Sequence, residues 1–268
     1  MSTHATVSVI IPAYKAQAQI GRAVASVADA GLSASDVEIV IASDDGTDYR
    51  SCLPSQPNLR FSAPGPVASG PGAARNRALT CARGRWAAFL DADDTWEPGY
   101  LSVLLPLAQA YGVAFGATSV LEGETELLRM PGGDRLTLED VGRSGASFHP
   151  VMPRSQAGPF ASAPAQDVLH AVEALSLCGG EAPVGSAAYQ LRLRTGSVTR
   201  DTGFSDRVAA AYSLYASRIQ AGRTRVPAAL VARAIGVFEA RRALNTAFQC
   251  QERETSFYRY VAARGAAG

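Results

Sequence analysis

Three carboxylates fall within four residues in the segment Asp91-Ala92-Asp93-Asp94. Carboxylates this close repel one another unless a cation lies among them. The segment follows the apolar run 86–90, which predicts a strand, and alternate side chains at a strand end can project to the same side. Carboxylate oxygens suit Mg²⁺ or Mn²⁺, and Mg²⁺ commonly binds substrate phosphates as well. The alternative is a solvated acidic turn in which an aspartate caps a helix. The segment alone does not decide between the two.

A second acidic segment, Ser43-Asp44-Asp45-Gly46-Thr47-Asp48, follows the β-branched run 37–41. A carboxylate here could accept hydrogen bonds from a nucleotide base or a ribose. Gly46 would permit close approach of a ligand, or a positive φ. The alternative is an ordinary Asp-Gly turn.

A third segment, Gly70-Pro71-Gly72-Ala73-Ala74-Arg75-Asn76-Arg77, has the composition of a glycine loop that opens a helix. The free N–H groups at the start of a helix are a natural anion site. Arg75 or Arg77 could add a charge-assisted hydrogen bond to a phosphate. The alternative is a flexible loop with a surface arginine.

The elements that must position these segments alternate between strand and helix. Short apolar runs at 7–11, 37–41, 59–61, 86–90 and 113–115 predict strands, and helical spacing predicts helices between most of them. This alternation is typical of a mostly parallel sheet with helices on both faces. Ligands of such sheets bind beyond the carboxyl ends of the strands. The loops 12–16, 43–48 and 91–96 are therefore the expected site.

The second half of the sequence is less regular. Residues 119–166 contain many Gly, Pro and Ser residues and predict irregular structure over the open end of the sheet. A helix is expected at 168–175 and a strand at 189–193. From about residue 204 the pattern is helical to near residue 263, with breaks at Gly222 and Pro227.

In this order and spacing, the segments 7–14, 44–48, 72–79 and 89–94 resemble the N-terminal half of the GT-A fold glycosyltransferases of family 2. The resemblance covers residues 6–118. It implies an α/β fold in which helices flank a mostly parallel central sheet. The nucleotide-binding half of this fold would be Rossmann-like. Residues 1–118 would then be the nucleotide-sugar-binding half, 119–200 an irregular acceptor-binding half, and 201–268 a C-terminal helical extension.

The resemblance also implies roles for individual residues of the first half. Asp91 and Asp93, with Ala92 between them, form an Asp-x-Asp motif in which Asp93 ligates the metal and Asp91 faces the ribose or a metal-bound water. The remaining nucleotide-sugar contacts would be Pro12, Ala13 and Tyr14 beside the nucleotide, Asp44 and Asp45 at a uracil-like base, and Arg75 near the nucleotide or diphosphate. The chain departs from the family at Gly46-Thr47-Asp48, where Gly-Ser-Thr-Asp is common.

The acceptor half resembles the family less closely. Gln166-Asp167 opens a predicted helix where the family usually carries an acidic pair, which implies that Asp167 is the general base. The alternative is a helix cap. The segment 189–197 is similar to the family's Tyr-Arg-x-His/Arg-x-Gly-Ser pattern, so Arg194 could close over the diphosphate. Its alternative is an arginine at the end of a strand.

Together these features imply a metal-dependent enzyme that uses Mn²⁺ or Mg²⁺. It would move one sugar from a UDP-linked or similar donor to the hydroxyl of a sugar, glycolipid or small-molecule acceptor, with inversion, in polysaccharide or glycoconjugate biosynthesis. The sequence lacks the Gln-x-x-Arg-Trp motif of processive synthases, which favours single transfers.

Two other functions remain open. A sugar nucleotidyltransferase should carry a glycine- and arginine-rich loop with a lysine after the first strand, where this chain has Pro12-Ala13-Tyr14-Lys15-Ala16. A catalytically degenerate protein that only binds a nucleotide sugar is favoured by Gln166 and by the irregular middle of the chain.

The composition narrows the range of partners. The formal net charge of +1 over 268 residues leaves no basic field for nucleic acid. No apolar run is long enough for a membrane-spanning helix, and the N-terminus does not have the pattern of a signal peptide. We therefore expect a cytoplasmic protein, with peripheral contact to the inner face of the membrane left open. The four cysteines are expected to be reduced, and His4, His149 and His170 lack partners at metal-ligand spacing.

Overall fold

A computed structural model describes residues 5–193, 204–250 and 256–265. Its strands are β1 (Val7–Ala13), β2 (Val37–Ser43), β3 (Leu59–Phe61), β4 (Trp86–Phe89), β5 (Thr95–Trp96), β6 (Ala114–Glu122), β7 (Thr125–Met130), β8 (Arg135–Thr137), β9 (Pro150–Pro153) and β10 (Glu181–Leu193). Its helices are α1 (Ile20–Ala28), α2 (Pro71–Cys81), α3 (Tyr100–Tyr111), α4 (Leu138–Ser144), α5 (Gln166–Ser176), α6 (Phe204–Gln220), α7 (Val231–Gln249) and α8 (Phe257–Gly265).

The strands form one sheet in the order β3-β2-β1-β4-β9-β6-β10-β5, with β7 added to β6 and β8 to β10. The four N-terminal strands are parallel, as are β6 and β10, while β9 runs antiparallel to its neighbours β4 and β6. The carboxyl ends of β1, β2 and β4 therefore meet at one edge, where the three predicted loops lie. The predicted α/β class is confirmed, and the parallel pairing dominates its N-terminal half.

Two apolar cores lie on opposite faces of the sheet, because successive strand residues point to opposite sides. Val9 and Ile11 of β1 pack in the core that contains α1 and α3, whereas Ile10 between them packs in the other. That second core joins α2 and α5 to the C-terminal helices α6 and α7. The C-terminal helical segment is thus part of the same packed body as the sheet.

The expectation of irregular structure over residues 119–166 was wrong. The end of β6, the whole of β7, β8 and β9, and helix α4 lie within this range. The β7 strand is short and half-exposed, so it carries little apolar signal. Helix α4 does carry a readable signal, because Thr137 and Asp140 form a reciprocal capping box. Strand β6 crosses residue 118, so the two predicted halves share one sheet, and the functional division at that position stays a prediction.

Glu38 lies near the amino end of β2, away from the site, and links several segments through hydrogen bonds. Its carboxylate accepts hydrogen bonds from Ser8 of β1 and Arg60 of β3, and from backbone N–H groups of the loop before β4. Burial alone would raise the pKa of Glu38, but these hydrogen bonds outweigh it and lower the pKa. The network fixes the start of β4, the strand that leads into the acidic segment.

Within the described residues, we find no helix of the length and apolarity that a membrane span requires. All four cysteines are free, consistent with the expectation that they are reduced. The cytoplasmic location stays a prediction.

Candidate active site

The acidic segment lies directly beyond β4, with each carboxylate in a different environment. The side chain of Asp91 is 33% exposed, and Asp93 is half-buried. Asp94 is only 7% exposed, and Ala92 between Asp91 and Asp93 is buried. Asp91 and Asp93 are therefore the carboxylates of this segment that a ligand can reach.

Asp94 holds the acidic segment in place through hydrogen bonds to β10. Its carboxylate accepts hydrogen bonds from the Tyr189 hydroxyl at 2.8 Å and from the backbone N–H of Arg192 at 2.9 Å. The same hydroxyl accepts the backbone N–H of Asp91 at 3.1 Å. Burial and the charges of Asp93 and Asp91 raise the pKa of Asp94 well above its usual range. The crowding of negative charge that the sequence predicted is therefore present, and a cation beside Asp93 and Asp91 would relieve it.

Arg75 reaches the acidic segment from helix α2. Its guanidinium contacts the carboxylate of Asp91, lies 5.4 Å from the ring centroid of Phe160, and is 1% exposed. Its Nε and Nη1 atoms have no hydrogen-bond partner in the part of the chain that the structure describes. Buried donors without partners are costly, so an anionic ligand that supplied acceptors here would be stabilised.

His149 was passed over in the sequence, and the structure brings it into the site. Its Nε2 lies 4.0 Å from Oδ2 of Asp91, and its ring lies 4.7 Å from that of Tyr189. Burial lowers the pKa of His149, although the negative charges of Asp91 and Asp167 act to raise it. A lone histidine just before a short strand gives no sequence signal, because its partners come from elements far away along the chain.

The two aspartates after β2 organise the loops at the carboxyl ends of β1 and β2. Asp44 is 3% exposed and accepts hydrogen bonds from Ser69, from the Gly70 N–H at 2.8 Å and from Arg77 at 3.2 Å. These contacts hold the loop that starts α2. The prediction that Asp44 contacts a base stays a prediction, and the geometry favours a supporting role for it.

Asp45 joins the ends of β1 and β2. It accepts the Lys15 N–H at 2.6 Å, the Thr47 N–H and the Tyr49 hydroxyl, each at 3.0 Å. Burial alone would raise the pKa of Asp45, but these hydrogen bonds outweigh it and lower the pKa, so the carboxylate is ionised at neutral pH. Asp45 is only partly buried and can still meet a ligand.

The first loop presents one free aromatic surface. Pro12 and Ala13 are buried at the end of β1, whereas Tyr14 is 43% exposed. Tyr14 is followed by Lys15, which has φ +50° and a side-chain ammonium 5.2 Å from the Tyr14 ring. A planar base could stack on Tyr14 at this position. The nucleotide contacts of all three predicted residues remain predictions.

Asp167 lies in the first turn of α5, and Ala165, not Asp167, occupies the cap position. Its carboxylate accepts a hydrogen bond from the Ser147 hydroxyl at 2.5 Å. Burial alone would raise the pKa of Asp167, but the nearby His149, the Ser147 hydrogen bond, Arg75 and Arg241 outweigh it and lower the pKa. The carboxylate is therefore ionised at neutral pH, as a general base must be.

The C-terminal helices also reach this region. Arg241 of α7 is 4% exposed and donates to the backbone carbonyls of Val141 and Ala146, which fixes the loop that carries Ser147 and His149. Its neighbour Arg242 is exposed. Arg194 lies outside the described residues.

The described residues do not bring three His, Cys, Asp or Glu side chains together in a preformed metal cage. Mg²⁺ does not require one, since it usually binds through one or two carboxylates together with waters and substrate phosphates. The accessible carboxylates of Asp91 and Asp93, next to a buried Asp94, fit that mode of binding.

Gly72 of α2 sets how closely this helix approaches the segment before α5. A Cβ at position 72 would lie 2.2 Å from the backbone carbonyl oxygen of Ala161. We expect Gly72→Ala to move α2, displace Arg75 and cost about 1–3 kcal/mol of stability. Thermal denaturation and a UDP titration measure the two effects.

Gly21→Ala is the matched control for Gly72→Ala. Gly21 also lies in a helix, α1, and a Cβ there would meet nothing within 4 Å. This substitution should stabilise the protein by roughly 0.4–1 kcal/mol and leave UDP binding unchanged. Equal stability of the two variants would contradict the assigned role of Gly72.

The sequence profile of the family described as Glycosyl transferase family 2 matches residues 8–145, just over half of the chain. The succinoglycan biosynthesis protein ExoO of Rhizobium meliloti is 32% identical over 72% of this chain and 62% of its own length. The Escherichia coli protein WfgD, named a UDP-Glc:alpha-D-GlcNAc-diphosphoundecaprenol beta-1,3-glucosyltransferase, is 30% identical over 41% of this chain and 43% of its own length. The chain thus spans less than two thirds of these relatives.

Solved structures show the same fold. Residues 1–349 of TarS from S. aureus, in complex with UDP-GlcNAc, align with a TM-score of 0.67 and 20% identity over 96% of this chain and 79% of that chain. The mannosyltransferase PcManGT from Pyrobaculum calidifontis, in complex with GDP-Man and Mn²⁺, aligns with a TM-score of 0.54 and 15% identity, over 98% and 80% of the two chains. At these identities the alignments establish the GT-A architecture alone.

Proposed function

Because the chain belongs to glycosyl transferase family 2, we propose that it transfers a single sugar from a UDP-linked donor to an acceptor hydroxyl, with inversion at the anomeric carbon. One observation carries the proposal. Arg75 and His149 both lie beside Asp91, which shares the end of β4 with Asp93, and both also act electrostatically on the ionised Asp167.

The donor side of the proposal rests on the edge formed by β1, β2 and β4. Tyr14 offers a stacking surface, Asp45 offers an ionised acceptor for base N–H groups, and Arg75 offers unpartnered donors to the diphosphate. A uracil base is favoured by the UDP-GlcNAc complex of TarS and by the UDP-Glc in the name of WfgD.

Asp93 and Asp91 are the residues that would hold Mg²⁺ or Mn²⁺. When bound, such an ion offsets negative charge on the departing diphosphate. Asp94 and Tyr189 keep the backbone of the segment in place beneath these two carboxylates. The Mn²⁺ complex of PcManGT, which shares the fold, supports a divalent cation.

On the acceptor side, Asp167 takes the proton from the attacking hydroxyl. The hydrogen bond from Ser147 holds one carboxylate oxygen and so orients the other toward the acceptor. Because the acceptor then attacks from the face opposite the diphosphate, a single displacement inverts the anomeric centre. The names of ExoO and WfgD favour a role in polysaccharide biosynthesis.

The proposal is tested by incubating the purified protein with UDP-glucose, UDP-galactose, UDP-N-acetylglucosamine and GDP-mannose in the presence of Mn²⁺. We expect slow release of UDP from at least one UDP-sugar, with water as the acceptor, and little release of GDP. A protein that binds these donors but releases no nucleotide would instead be a non-catalytic binding protein.

A further inference from the structure

A cavity of about 170 Å³ lies on the acceptor side of Asp167. Its walls come from α5, from the loop after α4 and from all three C-terminal helices. An apolar cavity of roughly 150 Å³ in another protein holds one six-membered carbon ring. This space therefore has the size for a single ring placed against the carboxylate of Asp167.

The walls of the cavity combine aromatic surface with a few polar groups. Phe248, Phe257 and Tyr258 supply rings from α7 and α8, while Asp167, Arg241 and Asn245 supply polar atoms. Small-molecule sites characteristically have mostly apolar walls with a few polar groups that fix orientation. A pyranose ring matches this mixture, because its C–H face packs on aromatic rings and its hydroxyl edge forms hydrogen bonds. A lipid chain would instead place hydrocarbon against the ionised carboxylate of Asp167, which is unfavourable.

Helix α8 is fixed in place by contacts with three parts of the fold. Arg259 pairs with Glu122 at the end of β6, with its Nε 3.2 Å from the carboxylate. The Phe257 ring packs edge-to-face on Phe248 of α7, with centroids 5.3 Å apart. Gly145 leaves room for that ring, since a Cβ there would lie 2.8 Å from it. These contacts hold α8 in position as one wall of the cavity.

Tyr258 of α8 brings a hydroxyl group to the wall of this cavity. It lines the cavity together with Asp167 and Arg241. Burial raises the pKa of its hydroxyl far above the usual range, and the charges of Asp167 and Asp94 raise it further, while Arg241 acts in the opposite direction. The hydroxyl is therefore a neutral hydrogen-bond donor in the same cavity as the carboxylate that would take the acceptor's proton.

We propose that this cavity binds the terminal pyranose ring of a saccharide acceptor, and that the Tyr258 hydroxyl orients the attacking hydroxyl of that ring toward Asp167. The inference rests on the proposed glycosyltransferase function and gives the C-terminal helical extension a role, which is to complete the acceptor site.

Saturation-transfer NMR on the full chain, in the presence of UDP and Mg²⁺, tests the proposal. The probes are the methyl β-glycosides of glucose, galactose and N-acetylglucosamine. We expect saturation to reach the ring protons of at least one glycoside. Tyr258→Phe should weaken that binding by roughly 3- to 10-fold, the effect of one lost hydrogen bond. Leu244→Phe, which adds volume to the cavity wall, should abolish it.

Tyr260→Phe is the matched control. Tyr260 lies on the same helix, but its hydroxyl accepts a hydrogen bond from Arg264 at 2.8 Å outside the cavity. Its variant should bind the glycoside as the wild type does, and all three variants should bind UDP normally. Once transfer is measurable, Tyr258→Phe should raise the acceptor KM more than it lowers kcat.

Two results would overturn the proposal that this cavity binds the acceptor. One is a wild-type protein that binds UDP but none of the three glycosides. The other is glycoside binding that is unchanged by both Tyr258→Phe and Leu244→Phe, which would place the sugar elsewhere. Failure of the wild type to bind UDP at all would instead overturn the proposed function.

Discussion

Replacing Asp93 with asparagine is expected to reduce turnover of the UDP-sugar by about 10³-fold or more. A bound divalent cation stabilises several kcal/mol of developing charge on a leaving group, and each 1.36 kcal/mol is about tenfold in rate. Asp93 is the predicted metal ligand at the end of β4, and asparagine keeps its size while removing its charge. Initial rates of UDP release at saturating Mn²⁺ measure the effect.

Asp94→Asn is the comparison for Asp93→Asn, because it makes the same change from carboxyl to amide at the next residue. The Asp94 side chain is buried and bonded to Tyr189 and to the Arg192 N–H, so it cannot reach a ligand directly. The amide can still accept the Arg192 N–H, and we expect Asp94→Asn to lose far less activity than Asp93→Asn. If Asp93→Asn kept metal-dependent turnover, the assignment of Asp93 as the metal ligand would be wrong.

Replacing Asp167 with asparagine is expected to lower kcat for transfer by about 10²- to 10⁴-fold, the usual contribution of a general base. UDP affinity should be unchanged, since no donor contact is assigned to this residue. The pKa of Asp167 is lowered, so the wild-type base should remain ionised down to about pH 5. Any loss of activity between neutral pH and that value should then arise from other groups.

Thermal denaturation separates this role from a purely structural one. Asparagine can accept the Ser147 hydrogen bond, and loss of the carboxylate charge from the first turn of α5 should cost only about 0.3–1 kcal/mol. Asp167→Asn should therefore fold with nearly wild-type stability while transfer is lost. A variant that transferred sugar at the wild-type rate would eliminate Asp167 as the base.

Much of the N-terminal half could be predicted from the sequence because its signals are local. The apolar runs that became β1, β2 and β4 end directly in the loops of the site, and parallel strands bring their carboxyl ends together. The acidic segment could be placed at a strand end for the same reason. The middle of the chain could not, because β7 is a half-exposed strand with little apolar signal.

The supporting residues of the site were not readable, because long-range pairing selects them. Tyr189 reaches Asp94 only because β10 pairs antiparallel with β5, with Tyr189 opposite Trp96. His149 meets Asp91 across the junction between β4 and β9. Arg241 is indistinguishable in sequence from its exposed neighbour, and only the packing of α7 on α4 buries it. Each of these contacts joins segments that no local pattern connects.

Calorimetric titration of the wild-type protein with UDP, in Mn²⁺ and in excess chelator, is the most direct test of the site at the end of β4. We expect clear binding in Mn²⁺ and a loss of affinity of at least tenfold in chelator, with the Asp93→Asn variant insensitive to the metal. Equal affinity of the wild type under both conditions would show that these carboxylates do not hold the diphosphate through a cation.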